Sequence, residues 1–279
     1  MGRRSHLPPT EDANSPLPPT RLTAGVILAG GIALAGWRAG ALTGGGALAA
    51  VGVGAAVFGA GGRRFVPPML GFFGLSSALS HLGTERKRAL AEVAAKGERR
   101  DAGQVLANGG VPALASAAGG RDVFSGYLGA LAAVNADTWS TELGGLSRRA
   151  PRSLATGKLV APGTSGGVTA LGLAGALAGG AVVGALGRRT WRSVLLGTLA
   201  GLAGSLVDSL LGATVQRVSW CPVCGKETER AVHGCGTPTE YRRGYPWLDN
   251  DRVNLLASLS GALAGCALNR AGRAPRRAP

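Results

Sequence analysis

Four acidic side chains stand within or beside apolar segments of this sequence, where carboxylates are energetically costly. An apolar run from Phe124 to Val134 leads directly into Asp137 and Glu142. Asp208 is isolated within a second run, and Asp251 stands just before a third. Ionisable groups in such positions usually serve a function, whereas helix capping or an ion pair with arginine is the structural alternative. Because capping cannot explain an acid in the middle of a span, the functional interpretation is strongest for Asp208.

These carboxylates suggest a site for a hard divalent cation. Mg²⁺ commonly takes one or two carboxylates and completes its octahedron with waters and substrate phosphates. We therefore predict that Asp137, Asp208 and Asp251 bind Mg²⁺. Glu142 and Lys158 are predicted to act in catalysis beside these three residues.

The glycine-rich loop from Gly163 to Gly167 suits an anion. It combines backbone N–H groups with two hydroxyls and stands just before an apolar run, where a helix N-terminus would attract negative charge. Basic and amide side chains near the acidic motifs are further candidates for phosphate contacts. The residues predicted to bind substrate or nucleotide phosphate are Arg99, Arg100, Gln104, Asn108, Gly163, Thr164, Ser165, Gly166, Gly167, Asn250 and Asn254. The glycine fingerprints of P-loop and Rossmann folds are absent from the sequence, so these nucleotide-binding folds are unsupported.

A second group of residues suits a soft metal. Cys221 and Cys224 are followed by His233 and Cys235, which gives four ligands at the spacing of a zinc knuckle. Three cysteines and one histidine complete a tetrahedral structural Zn²⁺ site, whereas one disulfide among three cysteines leaves a thiol over. A disulfide is the alternative if this loop lies outside the cytoplasm.

Composition places the chain in a membrane. Its 279 residues include 48 glycines and repeated Ala, Leu, Val and Gly runs of about bilayer-spanning length. The formal charge of +15 lies mostly between those runs, which fits loops held against anionic lipid and phosphate-bearing ligands. With few aromatic residues to interleave with the basic ones, nucleic-acid binding is not expected. We predict an all-α fold, a polytopic transmembrane helix bundle of about seven to eight Gly/Ala-rich spans with a small Cys/His-containing loop.

Eight apolar runs are candidate spans. They are Leu22 to Trp37, Ala41 to Gly61, Val66 to Leu82, Ala102 to Ala118, Val123 to Leu143, Gly166 to Leu186, Val194 to Ala213 and Val253 to Leu268. Glycine pairs four residues apart, such as Gly175/Gly179 and Gly180/Gly184, predict close packing of helix backbones. The run from Ala102 to Ala118 contains Pro112 and polar amides, so a broken or re-entrant helix is its alternative.

These spans predict the organisation of the chain. Residues 1–20 form a proline-rich disordered tail, residues 21–269 a single membrane domain with an extramembrane loop at 214–250, and residues 270–279 a basic tail. With eight crossings, the connectors Thr84 to Asp101, Gly144 to Ser165 and Thr214 to Arg252 face one side of the membrane. The distribution of basic residues favours the cytoplasm for these connectors. We expect the plasma membrane of a bacterium.

Five ordered motifs resemble those of the domain-of-unknown-function 92 family of integral membrane proteins. They begin at Gly103 (Gly-Gln-Val-Leu-Ala-Asn-Gly), Asn135 (Asn-Ala-Asp-Thr-Trp-Ser-Thr-Glu-Leu-Gly), Gly163 (Gly-Thr-Ser-Gly-Gly-Val-Thr), Asp208 (Asp-Ser-Leu-Leu-Gly-Ala-Thr-Val-Gln) and Asn250 (Asn-Asp-Arg-Val-Asn). The family includes transmembrane protein 19 and the plant phytyl-phosphate kinase. For its plant members the resemblance implies phosphoryl transfer from a nucleoside triphosphate, with CTP as the expected donor, to an isoprenyl monophosphate.

Two active functions are compatible with these observations. The first is a membrane-embedded isoprenyl-phosphate kinase, whose partners are membrane lipid, an isoprenyl phosphate and a nucleoside triphosphate. The second is a transporter for a small anion or a phosphorylated lipid, in which Asp137 and Asp208 line the path. Transporters often carry inverted repeats, and none is evident here, which favours the kinase. A non-catalytic membrane protein is the third alternative, and it leaves Asp208 unexplained.

Overall fold

The computed structural model describes residues 19–80, 99–118 and 122–273 of the chain. Within these residues the chain forms eight long helices and five short strands. The helices are α1 (Pro19–Arg38), α2 (Gly44–Ala55, continued by a π-helical turn Ala56–Gly61), α3 (Val66–Ser80), α4 (Ala102–Ala117), α5 (Val123–Gly144), α6 (Ala170–Gly187), α7 (Trp191–Thr214) and α8 (Asn250–Ala271). The strands are β1 (Arg152–Ser153), β2 (Gly167–Val168), β3 (Val218–Cys221), β4 (Lys226–Thr228) and β5 (Glu240–Arg243).

Helix α5 is the centre of the bundle. It packs against α3, α4, α6, α7 and α8, and every residue from Tyr127 to Ala136 is buried. At its first turn, the Tyr127 hydroxyl donates to the carbonyl oxygen of Phe65 at 2.6 Å, and the two rings meet edge to face. A helix that is apolar on all sides for its first 12 residues is expected only inside a bundle or a bilayer. The polar motif that follows at Asn135 therefore begins inside the bundle.

Small residues let α5, α6 and α7 approach closely. A Cβ atom on Gly175 would lie 2.7 Å from the Trp139 carbonyl oxygen of α5, and one on Gly180 would lie 2.5 Å from the Gly197 carbonyl oxygen of α7. One face of α6 therefore meets α5 and the opposite face meets α7. The predicted role of the glycine pairs in helix packing is confirmed.

The bundle has the surface expected of a membrane protein. Four described helical segments are long and apolar enough to cross a bilayer: Thr20–Arg38, Gly44–Gly61, Ala170–Gly187 and Trp191–Thr214. The other helices are shorter or carry polar residues, yet α4 and α8 also expose leucines, with Leu114 74% and Leu263 64% exposed. Helix α4 is one continuous helix despite Pro112, so the broken-helix alternative is wrong. The predicted helical membrane bundle is confirmed.

Short strands complete the fold outside the helices. Strands β1 and β2 pair antiparallel, and β3 lies between β4 and β5 in an antiparallel sheet that carries the Cys/His loop. The sequence analysis predicts no strands, because segments of two to four residues show no periodicity. The predicted tail 1–20 and the connector Thr84 to Asp101 lie largely outside the described residues, and α1 begins at Pro19.

At the end of the bundle opposite the acidic motif, Asp122 joins α5 to α8. Its two carboxylate oxygens accept from Asn269 Nδ2 at 2.9 Å and from Arg270 Nε at 2.8 Å. Arg273 adds an ion pair at 3.0 Å. The Arg270 hydrogen bond lowers the pKa of the Asp122 carboxyl, with smaller contributions in the same direction from Asn269 and Arg273. This cluster stabilises the ends of two antiparallel helices.

Candidate functional site

Three carboxylates from different parts of the chain converge at one end of the bundle. Asp137 lies on α5, Asp208 on α7 and Glu229 just after β4, and their carboxyl groups interact electrostatically. The Ser205 hydroxyl, one turn before Asp208, hydrogen-bonds to Asp137. We call Asp137, Asp208 and Glu229 the acidic cluster. The sequence analysis predicts two of its three members.

Glu229 is held at the cluster by side chains from two other segments. Its Oε1 atom accepts from the Ser165 hydroxyl at 2.7 Å and from Gln216 Nε2 at 2.6 Å. Ser165 belongs to the glycine-rich loop, and Gln216 is a buried residue between α7 and β3. The sequence analysis misses Glu229 because it lies in a polar stretch, Lys226 to Arg230, where an acid is usually solvated. Its position between Cys224 and His233, inside the predicted zinc loop, is the only signal in the sequence.

One oxygen of the acidic cluster has no internal partner. Asp208 Oδ2 is buried and, within the described residues, makes no hydrogen bond. A buried oxygen that is left unpaired costs free energy, and the cost is higher when like charges lie nearby. Hard carboxylate oxygens in this arrangement match the ligand set of Mg²⁺. The chemistry of the cluster therefore fits a divalent cation.

The glycine-rich loop lies directly against the helix that carries Asp208. Gly166 has a φ of +75° and leaves no space for a side chain, because a Cβ atom there would overlap the backbone of Ser209 and Ala213 on α7. Within the loop, the Gly167 N–H donates to the Thr164 carbonyl oxygen at 3.0 Å. The loop thus adopts a fixed turn beside the acidic cluster.

The helix N-terminus predicted beside this loop is capped by a residue that directly precedes the helix. Strand β2 follows the loop, and Thr169 then caps α6 by accepting from the Gly172 N–H at 2.9 Å. The Thr169 side chain thus occupies one of the N–H donors of this helix N-terminus, and its part in an anion site stays a prediction. Phosphate binding by Gly163, Thr164, Ser165, Gly166 and Gly167 themselves stays a prediction.

A second polar group lies on another face of α5. Glu142 Oε1 accepts from the Ser80 hydroxyl of α3 at 2.6 Å, and Glu142 also interacts electrostatically with Arg100. Burial lowers the pKa of the Arg100 guanidinium, and Glu142 acts in the opposite direction. Asp137 and Glu142 are five residues apart, which places them about 140° apart around the helix.

Arg100 stands at the edge of a largely apolar groove between α2, α3 and α4. Gln104 and Asn108 line the same groove, so three of the predicted phosphate-binding residues are brought together. The remaining lining residues are Ala50, Val53, Met69, Phe72, Phe73, Val105 and Gly109. Gln104 also closes a capping box with Asp101, which uses its Oε1 atom. An arginine beside an apolar groove suits an amphiphile with an anionic head.

The other predicted residues lie around these two groups. Lys158 is exposed on the loop between β1 and β2, and Arg99 donates to the Leu42 carbonyl oxygen at 3.0 Å. Asp251 lies partly buried in the first turn of α8, where Asn254 Nδ2 donates to the Asn250 carbonyl oxygen at 2.9 Å. Glu229, which the sequence analysis does not predict, interacts electrostatically with Asp137 and Asp208. The Mg²⁺ role of Asp251 and the catalytic role of Lys158 stay predictions.

The Cys/His loop brings its four predicted ligands together. One ligand atom from each of Cys221, Cys224, His233 and Cys235 lies within 4.8 Å of the others. All three cysteines of the loop are free. Hydrogen bonds with Thr237 and His233 lower the pKa of Cys235 to about 6, whereas a hydrogen bond with Cys235 raises that of Cys224 to about 11.

The packed helices, the exposed leucines and the polar end of the bundle define a polytopic integral membrane protein. The family model described as "Integral membrane protein DUF92" matches residues 27–262, and the chain belongs to this family. The chain is 35% identical over 232 residues to Protein PGR of Arabidopsis thaliana, a match that covers 71% of this chain and 79% of that protein. It is 32% identical over 212 residues to an uncharacterized membrane protein of Methanocaldococcus jannaschii, covering 73% and 76%. No solved structure matches the chain.

Proposed function

We propose that this protein is a membrane-embedded isoprenyl-phosphate kinase. It transfers a phosphoryl group from a nucleoside triphosphate, with CTP as the expected donor, to a prenyl monophosphate. The observation that carries the proposal is the acidic cluster, where a buried, unpartnered oxygen of Asp208 lies beside Asp137 and Glu229 at the end of the helix bundle. The names of the two relatives give no activity, so the proposal rests on this site.

The reaction requires little acid or base catalysis from the protein. The second pKa of a phosphate monoester is about 6, so the acceptor is largely ionised at neutral pH. An oxygen of the prenyl phosphate attacks the γ-phosphorus, a new P–O bond forms, and the bond between the γ-phosphorus and the bridging oxygen breaks to release the nucleoside diphosphate. Phosphoryl transfer of this kind depends on alignment and on neutralising negative charge. The scarcity of histidine in the chain is therefore compatible with the proposal.

The residues of the site divide these tasks. Asp137, Asp208 and Glu229 would hold Mg²⁺, which would neutralise the negative charge of the phosphates. Ser165 holds Glu229 at the cluster through its hydroxyl, and the glycine-rich loop around it would align the donor phosphates. Arg100 attracts the anionic head of the acceptor, and the tail lies against the apolar helices beside it.

The orientation of the protein is part of the same proposal. Cytoplasmic CTP reaches the acidic cluster only if the connectors 144–165 and 214–252 face the cytoplasm. These two connectors meet through the Ser165 to Glu229 hydrogen bond, so they share one side. We propose the plasma membrane of a bacterium with this end inside, as the distribution of basic residues favours.

Purified protein in lipid nanodiscs tests the proposed activity. It is incubated with farnesyl, geranylgeranyl or phytyl monophosphate, Mg²⁺ and each of the four nucleoside triphosphates, and the prenyl diphosphate is measured by mass spectrometry. We expect a diphosphate with at least one pair of substrates and a loss of turnover of at least about 100-fold in Asp208→Asn, as for the removal of one stabilising group in a transition state. Absence of turnover across the whole panel would refute the kinase.

A matched control shows whether the loss of any carboxylate at this end of the bundle reduces activity. Asp249 lies at the same end of the bundle and caps α8 through the Arg252 N–H. Asp249→Asn keeps a good N-cap and should retain full activity. Substrate uptake into proteoliposomes without nucleotide, together with an inactive kinase assay, would favour the transporter instead.

A further inference from the structure

The Cys/His loop has the geometry of a tetrahedral metal site. Cys221 Sγ lies 3.7 Å from Cys235 Sγ, and His233 Nδ1 lies 3.2 Å from the same Cys235 atom. A Zn²⁺ ion bound to thiolates at about 2.3 Å places its sulfur ligands about 3.8 Å apart. The separation of the two sulfurs therefore matches a shared Zn²⁺ ion, and it is far longer than a disulfide bond.

The backbone fixes the four ligands independently of any ion. Cys221 ends β3 and is followed by a turn in which the Gly225 N–H donates to the Cys221 carbonyl oxygen at 2.9 Å and the Cys224 N–H points to Cys221 Sγ. A second turn brings His233 and Cys235 together, with the Gly236 N–H donating to the His233 carbonyl oxygen at 2.9 Å. Two tight turns that face each other form the usual scaffold of a zinc knuckle.

Glu229 lies between these two turns. It follows β4 directly, five residues after Cys224 and four before His233. The turns that carry the Cys/His ligands therefore constrain its backbone from both sides. Its side chain leaves the loop and reaches the acidic cluster on α5 and α7. The loop that contains the four soft ligands thus also places a hard carboxylate ligand at the acidic cluster.

The sheet around the loop is too small to hold this position by itself. Strands β3, β4 and β5 have three or four residues each, and the buried residues are confined to β3 and the last residue of β4. Small sheets of this kind commonly require a metal or disulfides for a stable fold. Placing Glu229 beside two other carboxylates is unfavourable, and a rigid loop offsets this cost together with the hydrogen bonds from Ser165 and Gln216.

We propose that Cys221, Cys224, His233 and Cys235 bind one Zn²⁺ ion, and that this zinc positions Glu229 so that the acidic cluster can bind a divalent cation. The zinc is structural, because its four ligands leave no open coordination position. Glu229 is the link between the two metal sites. The second half of the proposal rests on the cation-binding role of the acidic cluster in the proposed function.

Metal analysis tests the zinc site directly. Protein purified without chelators should contain about one zinc per chain by elemental analysis, and Cys224→Ser should lose it. Cys266→Ser is the matched control, because Cys266 lies on α8 away from the loop, and it should keep its zinc. A wild-type protein that contains no zinc, even after reconstitution with Zn²⁺, would overturn the zinc site.

Binding of Mn²⁺, followed by electron paramagnetic resonance, tests the link. Glu229→Gln should weaken Mn²⁺ binding at least tenfold while it retains zinc, whereas Cys224→Ser should lose zinc and weaken Mn²⁺ binding by a similar factor. Glu227→Gln is the control for Glu229→Gln, because Glu227 lies two residues earlier and pairs with Arg242 at the surface. It should change neither metal.

Two outcomes would overturn the link between the metals. Unchanged Mn²⁺ binding in zinc-free Cys224→Ser would show that zinc does not position Glu229. Unchanged Mn²⁺ binding in Glu229→Gln would remove Glu229 from the cation site. Both measurements are made without prenyl phosphate or nucleotide, so failure of the kinase assay leaves them informative.

Discussion

Asn135 and Asp208 are expected to differ in what they contribute, although both are polar residues within apolar helices. Asn135 is fully buried on α5. It accepts from the Ser76 hydroxyl of α3 at 2.8 Å and donates to the Gly179 carbonyl oxygen of α6 at 2.8 Å. Asp208 has an oxygen with no partner among the described residues. Asn135 therefore stabilises the bundle, whereas Asp208 costs stability and serves cation binding.

The structure gives the size of the effect for Asn135→Ala. Interhelical hydrogen bonds in membrane proteins contribute about 0.6 to 1.7 kcal/mol each, so the loss of two predicts destabilisation by about 1 to 3 kcal/mol. Asp208→Asn removes a buried acid beside two other acids and breaks no hydrogen bond of its Oδ2 atom. The stability of the protein without bound cation should stay the same or rise.

Two assays on the same variants check this contrast. Unfolding in sodium dodecyl sulfate measures the free energy of unfolding, and electron paramagnetic resonance of Mn²⁺ measures cation binding by the acidic cluster. Asn135→Ala should lose stability and keep cation binding, and Asp208→Asn should show the reverse. Thr138→Ala is the control, because among the described residues Thr138 donates to the Val134 carbonyl oxygen of its own helix and to no other helix. If Asp208→Asn destabilised the protein as much as Asn135→Ala, the assignment of Asp208 to function would be wrong.

Three further predictions concern packing, pH and topology. Gly129→Ala, which would overlap the Gly261 carbonyl oxygen, should cost about 1 to 3 kcal/mol of unfolding free energy, whereas Gly74→Ala, with open space around it, should be neutral or stabilising. The pKa of Asp122 is lowered, so its stabilising effect is present above about pH 4 and is lost as the pH falls through its folded pKa. Thermal unfolding of Asp122→Asn should lack this acid-dependent loss, and the same pH profile in both proteins would contradict the role of Asp122 in joining α5 to α8. A membrane-impermeant thiol reagent should label Cys224 and Cys235 in chelator-treated inside-out vesicles but not in intact cells, and the opposite pattern would reverse the proposed orientation.

The helices were predictable because the bilayer leaves few alternatives. Backbone groups in lipid must pair within the segment, so a long apolar run predicts a helix. The polar residues at the end of α5 were predictable, but the directions of their side chains were not, because sequence spacing does not show which neighbouring helix each side chain contacts. Ser76 and Ser80, which bind Asn135 and Glu142, are ordinary serines in an apolar run and give no signal of their own.

The acidic cluster was predictable only where its acids interrupt apolar runs. Asp137 and Asp208 stand out for that reason, whereas Glu229 has charged neighbours and is distant in sequence from both. Its contact with Ser165 depends on how the connectors 144–165 and 214–252 fold against each other. Such tertiary pairing leaves no periodic pattern in one sequence. The strands within these connectors are also too short for periodicity to detect.

The spacing of Asn135 and Asp137 explains how one helix can carry both an anchor and a reactive group. Residues two apart lie about 200° apart around a helix, so the two side chains point to nearly opposite sides. The hydrogen bonds of Asn135 to α3 and α6 fix the rotation of α5 about its own axis. That rotation turns Asp137 toward Ser205 and Asp208 on α7. A rotation of α5 by one residue position, about 100°, would remove Asp137 from the acidic cluster. Packing of the buried residues from Tyr127 to Ala136 resists the same rotation, so Asn135→Ala should still keep cation binding.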